Sequence, residues 1–134
     1  KAWSTTPHAK AFTNLQAMDP AKATEIAGSL KIELTGTAAK TDACVSCHVT
    51  GFQLAGGYPA ADSAKTAAVA AVGCESCHGP GSLHVSAPTA EKKKFITRAI
   101  TASLCTQCHT PQMSPKFNFE EYAKRIHPVP KTTG

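Results

Sequence analysis

Hydrophobic residues along this chain recur in short stretches that glycine, proline or a capping residue soon ends. The first stretch, residues 4–17, places His8, Phe12 and Leu15 at the spacing of one helix face. It predicts an opening helix. A second helix is predicted to begin after Asp19, an N-cap residue, because proline follows it at the first helical position.

Gly28 is the predicted end of this second helix. Residues 30–34 then alternate apolar and charged side chains, which indicates a weak strand or an extended segment. Residues 51–59 hold two adjacent glycines and a proline, and they predict a loop.

The second half of the chain also consists of short stretches that predict short helices. Residues 62–72 are rich in alanine and residues 89–99 are amphipathic, so both are predicted helices. Asn118 opens a capping-box pattern that predicts a last helix ending at Ile126. The pattern as a whole is typical of a mainly α protein with short helices and long loops.

The strongest signal is a five-residue motif, Cys-x-x-Cys-His, which occurs three times. This motif attaches c-type haem: two thioethers hold the porphyrin edge and the histidine binds the iron. It therefore predicts three covalent c-type haems, packed closely in so short a chain. The residues concerned are Cys44, Cys47 and His48, then Cys74, Cys77 and His78, and then Cys105, Cys108 and His109.

Other uses of paired cysteines fit the sequence less well. Neither a redox dithiol nor a disulfide framework requires a histidine after every second cysteine. A zinc site needs four ligands for each metal, and six thiolates with three histidines divide awkwardly among such sites. No cysteine lies outside the three motifs, which favours haem attachment.

Three further histidines remain, and their number equals the number of predicted irons: His8, His84 and His127. Low-spin electron-transfer haems take a second axial ligand, so these residues are candidate distal ligands; an ordinary surface histidine is the alternative for each. Met18 and Met113 are weaker candidates. Thioether sulfur also binds haem iron, but methionine more often fills space in a core.

The run Gly79-Pro80-Gly81 predicts a tight turn between His78 and His84. This link is too short for both rings to bind one iron from opposite faces of a haem. His84 is therefore expected to serve a different haem, which again implies close haem packing.

Composition supports a fold built around cofactors. The length suits a single domain, residues 1–134, yet only 6% of the residues are aromatic. Three porphyrins would supply the missing apolar bulk, and the haem-free chain is expected to fold poorly. Haem propionates offset the formal charge of +5, so nucleic acid is not an expected partner.

Lys92-Lys93-Lys94 is the one compact basic run. It is interpreted either as a solvated helix face or as a docking patch for an acidic redox partner.

No window of the sequence approaches the length and hydrophobicity of a transmembrane segment. The chain begins at Lys1 without a signal peptide, although c-type haem is attached after export, so we expect a mature or trimmed form of a periplasmic or extracellular protein.

The residues around the motifs resemble the cytochrome c-554 family. The resemblance rests on Trp3 with the segment 8–12, on the run Gly-Cys-Glu-Ser-Cys-His-Gly-Pro-Gly-Ser-Leu-His, and on Phe-x-Phe-Glu-x-Tyr before a late histidine. It implies a mostly helical multihaem electron carrier with stacked haems and chiefly bis-histidine ligation. It also implies His8, His84 and His127 as distal ligands, and redox proteins, membrane-bound cytochromes among them, as partners.

One feature departs from the family pattern, because a fourth haem motif usually precedes the tryptophan and this chain begins without it. In tetrahaem relatives, the haem that matches the Cys44 motif can lack a sixth ligand. The assignment of the three distal histidines to haems therefore stays open. A histidine left over could bind a haem of a neighbouring copy, as in filament-forming cytochromes.

These features favour an electron-transfer protein with three haems, mostly or wholly bis-histidine ligated, over an enzyme. The enzymatic alternative is reduction of a small nitrogen oxide at a five-coordinate haem on the Cys44–His48 motif. The other alternative is a subunit of a polymeric cytochrome wire, in which haems of neighbouring subunits lie close together. The physiological donor and acceptor are not encoded in any motif.

Overall fold

The structure is a computed structural model, and it describes residues 3–126. Within that range the chain forms short α-helices and 3₁₀ turns joined by loops, without a strand, which confirms the mainly α prediction. The α-helices are α1 (Ala11–Gln16), α2 (Pro20–Leu30), α3 (Asp42–Val45), α4 (Ser63–Val69), α5 (Cys74–His78), α6 (Ser82–Ser86), α7 (Ala102–Cys105) and α8 (Phe119–Ile126). The 3₁₀ turns are Trp3–Thr5, Pro7–Lys10, Ala38–Lys40 and Lys92–Phe95.

Three of the helix starts follow from capping side chains. Asp19 Oδ1 accepts a hydrogen bond from the backbone N–H two residues later, at 2.8 Å. Asp62 and Asn118 each accept one from the N–H three residues later, at 2.8 Å and 3.1 Å. These carboxylate and amide oxygens satisfy N–H groups that have no partner inside the helix. The starts predicted at Asp19 and Asn118 are confirmed, and the helix predicted from residue 62 begins one residue later.

Several predicted boundaries are wrong. Helix α2 continues past Gly28 to Leu30, and it ends where Lys31 adopts a left-handed conformation with φ of 56°. Residues 30–34 are therefore a helix end and a loop, not a strand. Helix α4 stops at Val69, three residues short of the prediction.

The predicted helix over residues 89–99 is also wrong, because only the 3₁₀ turn Lys92–Phe95 forms there. The backbone of this segment bonds elsewhere: the Thr97 N–H donates to the His78 carbonyl at 3.0 Å. The opening stretch, predicted as one helix over residues 4–17, is helical but divided into two 3₁₀ turns and α1.

The hydrophobic core lies in the first half of the chain. Its buried residues are Phe12, Leu15, Ala23, Ala38, Val45 and Val49. Ala71 is the last buried residue in the described part of the chain. Residues 72–126 carry two of the three motifs, yet they have no buried core of their own.

Residues 51–59 form a loop, as predicted, and this loop closes tightly against the core. Gly51 has a φ of 61°, and a Cβ placed on Gly57 would lie 1.8 Å from the Gly51 carbonyl oxygen. Only glycine allows the two backbones to approach so closely. The closed loop places the ring of Tyr58 at 5.3 Å from that of Phe12.

The start of the second motif is held from two directions. The Trp3 indole N–H donates to the Val72 carbonyl at 2.9 Å, and the Val72 N–H donates to the His8 carbonyl at 3.1 Å. On the other side, the Gly73 N–H donates to Thr50 Oγ1 at 2.9 Å. Helix α5 is thereby fixed between the N-terminal segment and the residues that follow the first motif.

Candidate haem-binding site

Each Cys-x-x-Cys-His motif occupies about one helical turn. The second motif is α5 itself, while the first continues from α3 and the third continues from α7. The His48 N–H donates to the Val45 carbonyl at 2.8 Å, and the His109 N–H donates to the Cys105 carbonyl at 2.9 Å. Residues three and four apart share a helix face, so both thiols and the imidazole of a motif lie on one side. Covalent haem attachment needs this arrangement.

Two motif histidines are held through the same ring atom. His48 Nδ1 lies 2.9 Å from the Ala11 carbonyl oxygen, and His78 Nδ1 lies 2.6 Å from the Thr97 carbonyl oxygen. A carbonyl oxygen only accepts, so Nδ1 carries the proton in both rings. Nε2 then offers its lone pair, as a metal-ligating histidine does.

The third motif histidine, His109, is fixed by a hydroxyl and two aromatic rings. Its Nδ1 lies 2.8 Å from Ser114 Oγ. The Phe117 ring stacks on the imidazole at 4.7 Å between centroids, and Tyr122 meets it edge-on at 5.9 Å. Burial lowers the pKa of His109, which favours the neutral, metal-binding form.

His8, a predicted distal ligand, lies beside the third motif. Its ring centroid is 6.0 Å from that of His109. A metal–nitrogen bond of about 2.0–2.1 Å on each side, and about 1.2 Å from nitrogen to ring centre, would give roughly 6.4 Å between two imidazoles that share one metal. Burial lowers the pKa of His8, and the neighbouring His109 lowers it further. The two rings are therefore close to the separation that two imidazoles bound to one metal ion would have.

His84, the second predicted distal ligand, is held in the same way as the motif histidines. Its Nδ1 lies 2.9 Å from the Lys92 carbonyl oxygen, which again leaves Nε2 as the donor atom. His84 lines a cleft of about 270 Å³ together with Cys74, His78 and Ile96. The sequence identified the imidazole but not this environment.

The cysteines of different motifs converge. The side chain of Cys47 is hydrogen bonded to that of Cys108; this bond is the main cause that lowers the pKa of Cys47, and it raises the pKa of Cys108. Burial raises the pKa of Cys77, and the nearby Cys105 and Cys74 raise it further. All six cysteines are free thiols in the chain itself. The three attachment sites thus lie side by side.

The remaining candidates are placed as follows. Met18 packs against the hydrophobic core, and Met113 is 46% exposed. His127 lies outside the described residues.

Sequence reasoning missed the groups that orient the imidazoles. The carbonyls of Ala11, Thr97 and Lys92 leave no trace in the sequence, because every residue has one. Only the partner of His109 could have been suspected from the sequence, because the Ser114 side chain carries a hydroxyl and lies five residues further along.

Paired thiols on one helical turn, each pair beside a histidine held through Nδ1, define a c-type cytochrome. Comparison with known families agrees. The family model described as cytochrome c554 and c-prime matches residues 1–79, and a model for a doubled CXXCH motif matches residues 67–114. The chain belongs to the cytochrome c554 and c-prime family, and the resemblance noted in the sequence is confirmed. Membership supports a c-type haem cofactor and haem-based electron transfer.

Among characterised proteins, cytochrome c-554 of Nitrosomonas europaea is 40% identical to this chain over 81 residues. The aligned region covers 60% of this chain and 32% of that protein, so the chain matches about a third of its relative's length. No solved structure matches the chain. Within residues 3–126, none of the helices has the length and hydrophobicity needed to cross a bilayer.

Proposed function

We propose that residues 1–134 form one trihaem domain that transfers electrons through three covalently bound c-type haems. Each haem supplies a one-electron iron couple. The chain holds each cofactor by two cysteines and orients it by one histidine. The attachment residues are Cys44, Cys47 and His48; Cys74, Cys77 and His78; and Cys105, Cys108 and His109.

The convergence of the cysteines carries this proposal. The contact between Cys47 and Cys108 joins the first motif to the third, and the proximity of Cys77 and Cys105 joins the second to the third. Cofactors attached at such neighbouring positions are close enough to exchange electrons with one another. A protein that used each haem separately would have no need of this arrangement.

The distribution of buried residues is a second support. Residues 72–126 have no buried core, although they fold into four α-helices. Helices as short as these are not stable on their own. Two haems attached within this region would supply the apolar surface that it lacks.

We propose His8, His84 and His127 as the distal ligands. The 6.0 Å separation of the rings supports His8 as the second ligand of the iron that His109 would bind. His84 presents Nε2 from the edge of the cleft that it shares with His78, and it would serve a second haem. We assign His127 to the third haem by number alone. Ligation by two histidines gives reduction potentials below those of histidine–methionine cytochromes.

A periplasmic or extracellular location and redox partner proteins complete the proposal. Both follow from the family, whose haems are attached after export. Self-association that brings haems of neighbouring copies close together would extend the same function from one chain to several.

Haem counting and spectroscopy on the holoprotein test the proposal. Intact mass should show three attached haems, and electron paramagnetic resonance of the oxidised protein should show low-spin iron only. A variant with Cys44→Ala and Cys47→Ala should lose one haem and keep the other two. A mass with fewer than three haems would contradict the proposed count. A high-spin ferric haem that binds nitric oxide would instead support the alternative function, an enzyme that reduces a small nitrogen oxide.

A further inference from the structure

Residues 91–98 form an exposed basic segment that electron transfer within the chain does not explain. The segment holds more than half of the net formal charge of the chain, +3 of +5, in eight residues. Its charged residues are four cations, Lys92, Lys93, Lys94 and Arg98, and one carboxylate, Glu91.

Most of this charge is available to a partner. Lys94 pairs with Glu91 at 3.2 Å, but both side chains are exposed, and such a surface pair contributes little energy. Lys93 and Arg98 are exposed, and neither has an anionic partner within residues 3–126. The positive potential at this surface is therefore not neutralised by the described part of the chain.

The backbone of the same segment contacts two histidines. The Lys92 carbonyl holds His84, and the Thr97 carbonyl holds His78, at 2.9 Å and 2.6 Å from the respective Nδ1 atoms. Both histidines line the cleft of about 270 Å³. A molecule that binds on the basic segment would consequently lie one hydrogen bond away from two imidazoles proposed as iron ligands.

Apolar side chains accompany the charges. Leu83, on α6, is 62% exposed, and Phe95, inside the segment, is 38% exposed. The Lys92 ammonium donates to the Val85 carbonyl at 3.3 Å, which holds the segment against α6. Exposed apolar side chains accompanied by polar ones are the usual composition of a protein–protein interface.

We propose that residues 91–98, together with Leu83, form the docking surface for an acidic redox protein. Electrons then enter or leave the chain next to His78 and His84. The inference rests on the proposed function, because it requires a haem attached at the second motif. Opposite charge on the partner would steer the encounter and raise the association rate by roughly 10- to 1,000-fold at low ionic strength.

Charge reversal on the holoprotein tests this surface. Lys93→Glu removes a free cation and leaves the Lys92 and Thr97 carbonyls in place. Lys40→Glu, at an exposed lysine in the 3₁₀ turn Ala38–Lys40, is the matched control for net charge. The probe is flavodoxin hydroquinone, an acidic one-electron donor, mixed with oxidised holoprotein in a stopped-flow instrument.

We expect Lys93→Glu to slow haem reduction by about tenfold at low salt, and by less than about twofold at 300 mM salt, where screening removes the steering. Lys40→Glu should change the rate by less than about twofold at either concentration. Titration calorimetry with oxidised flavodoxin should show weaker binding for Lys93→Glu only.

Three results would overturn the docking surface. Equal behaviour of the two variants would make net charge the cause. A shift of the haem potentials in Lys93→Glu without a change in flavodoxin binding would mean that the cations neutralise propionates. Loss of binding to phosphatidylglycerol vesicles in Lys93→Glu with an unchanged flavodoxin rate would identify a membrane-binding surface. Failure of dithionite to reduce the wild-type holoprotein would refute the proposed function itself, whatever the variants do.

Discussion

Four histidines in the described chain are held through Nδ1: His48, His78 and His84 by backbone carbonyls, and His109 by a serine hydroxyl. In the three rings held by carbonyls, this pattern puts the proton on Nδ1 and leaves the lone pair of Nε2 free to bind a metal. The sequence identified His48, His78 and His109 through the local motif Cys-x-x-Cys-His, and His84 as one of the three histidines outside the motifs. It could not identify the carbonyls that orient them, since those come from residues as far as 37 positions away along the chain.

Replacing His8 by alanine is expected to convert one of the three proposed haems from low-spin to high-spin. His8 lies 6.0 Å from His109, and its loss removes the proposed sixth ligand of that iron. Electron paramagnetic resonance of the oxidised holoprotein measures the change. Lys10→Ala, in the same 3₁₀ turn, should leave the spectrum unaltered. Retention of a wholly low-spin spectrum in His8→Ala would show that His8 is not an iron ligand.

At the scale of elements, capping residues were the most reliable guide. Asp19 and Asn118 start helices where predicted. Each side-chain oxygen accepts a hydrogen bond from a backbone N–H in the first turn of the helix that follows it. Gly28 failed as a stop signal because Lys31, and not Gly28, adopts the left-handed conformation that ends α2. Residues 89–99 failed as a helix because their backbone bonds to His78 and His84, a tertiary contact that helical periodicity does not report.

Two glycine substitutions should change stability in opposite directions. Gly57→Ala places a methyl group 1.8 Å from the Gly51 carbonyl oxygen, and we expect a loss of about 1–3 kcal/mol as the loop is forced open. Gly28→Ala has no atom within 4 Å of the new methyl group and lies inside α2, so it should add about 0.5–1 kcal/mol. Thermal unfolding of the holoproteins measures both, and a neutral Gly57→Ala would contradict the close approach.

Thr50 connects the first motif to the second. Its buried hydroxyl donates to the Ala71 carbonyl at 2.6 Å and accepts from the Gly73 N–H at 2.9 Å. Thr50→Val leaves both backbone groups without this partner, and we expect it to lower the free energy of unfolding by about 1–3 kcal/mol. Thr24→Val, at an exposed threonine on α2, should change it by less than about 0.5 kcal/mol. Equal effects of the two variants in denaturant titrations would argue against the connecting role.

At the scale of the whole molecule, buried residues occupy one half of the described chain and two of the three motifs occupy the other. The low aromatic content predicted a small hydrophobic core, and the buried cluster in the described part of the chain is indeed small. The position of that core was not predictable, because the pattern of apolar residues does not say which of them face protein and which face a cofactor.

Chemical removal of the haems is expected to abolish cooperative unfolding. Without them, residues 72–126 have no buried core, and the small cluster around Phe12 remains the main apolar centre. Far-ultraviolet circular dichroism should show a marked loss of helix and a gradual thermal curve, against a sharp transition for the holoprotein. A sharp transition in the haem-free chain would mean that the polypeptide folds independently of its cofactors.

The hydrogen bonds that join Trp3 and His8 to Val72 affect how many haem centres a fragment of such a protein can assemble. These bonds span more than sixty residues, and they hold the segment that leads into α5. A fragment that began after Lys10 would keep all three Cys-x-x-Cys-His motifs and still lose both anchors, along with the imidazole next to His109. The number of motifs in a partial sequence therefore overstates the number of centres that the fragment can assemble.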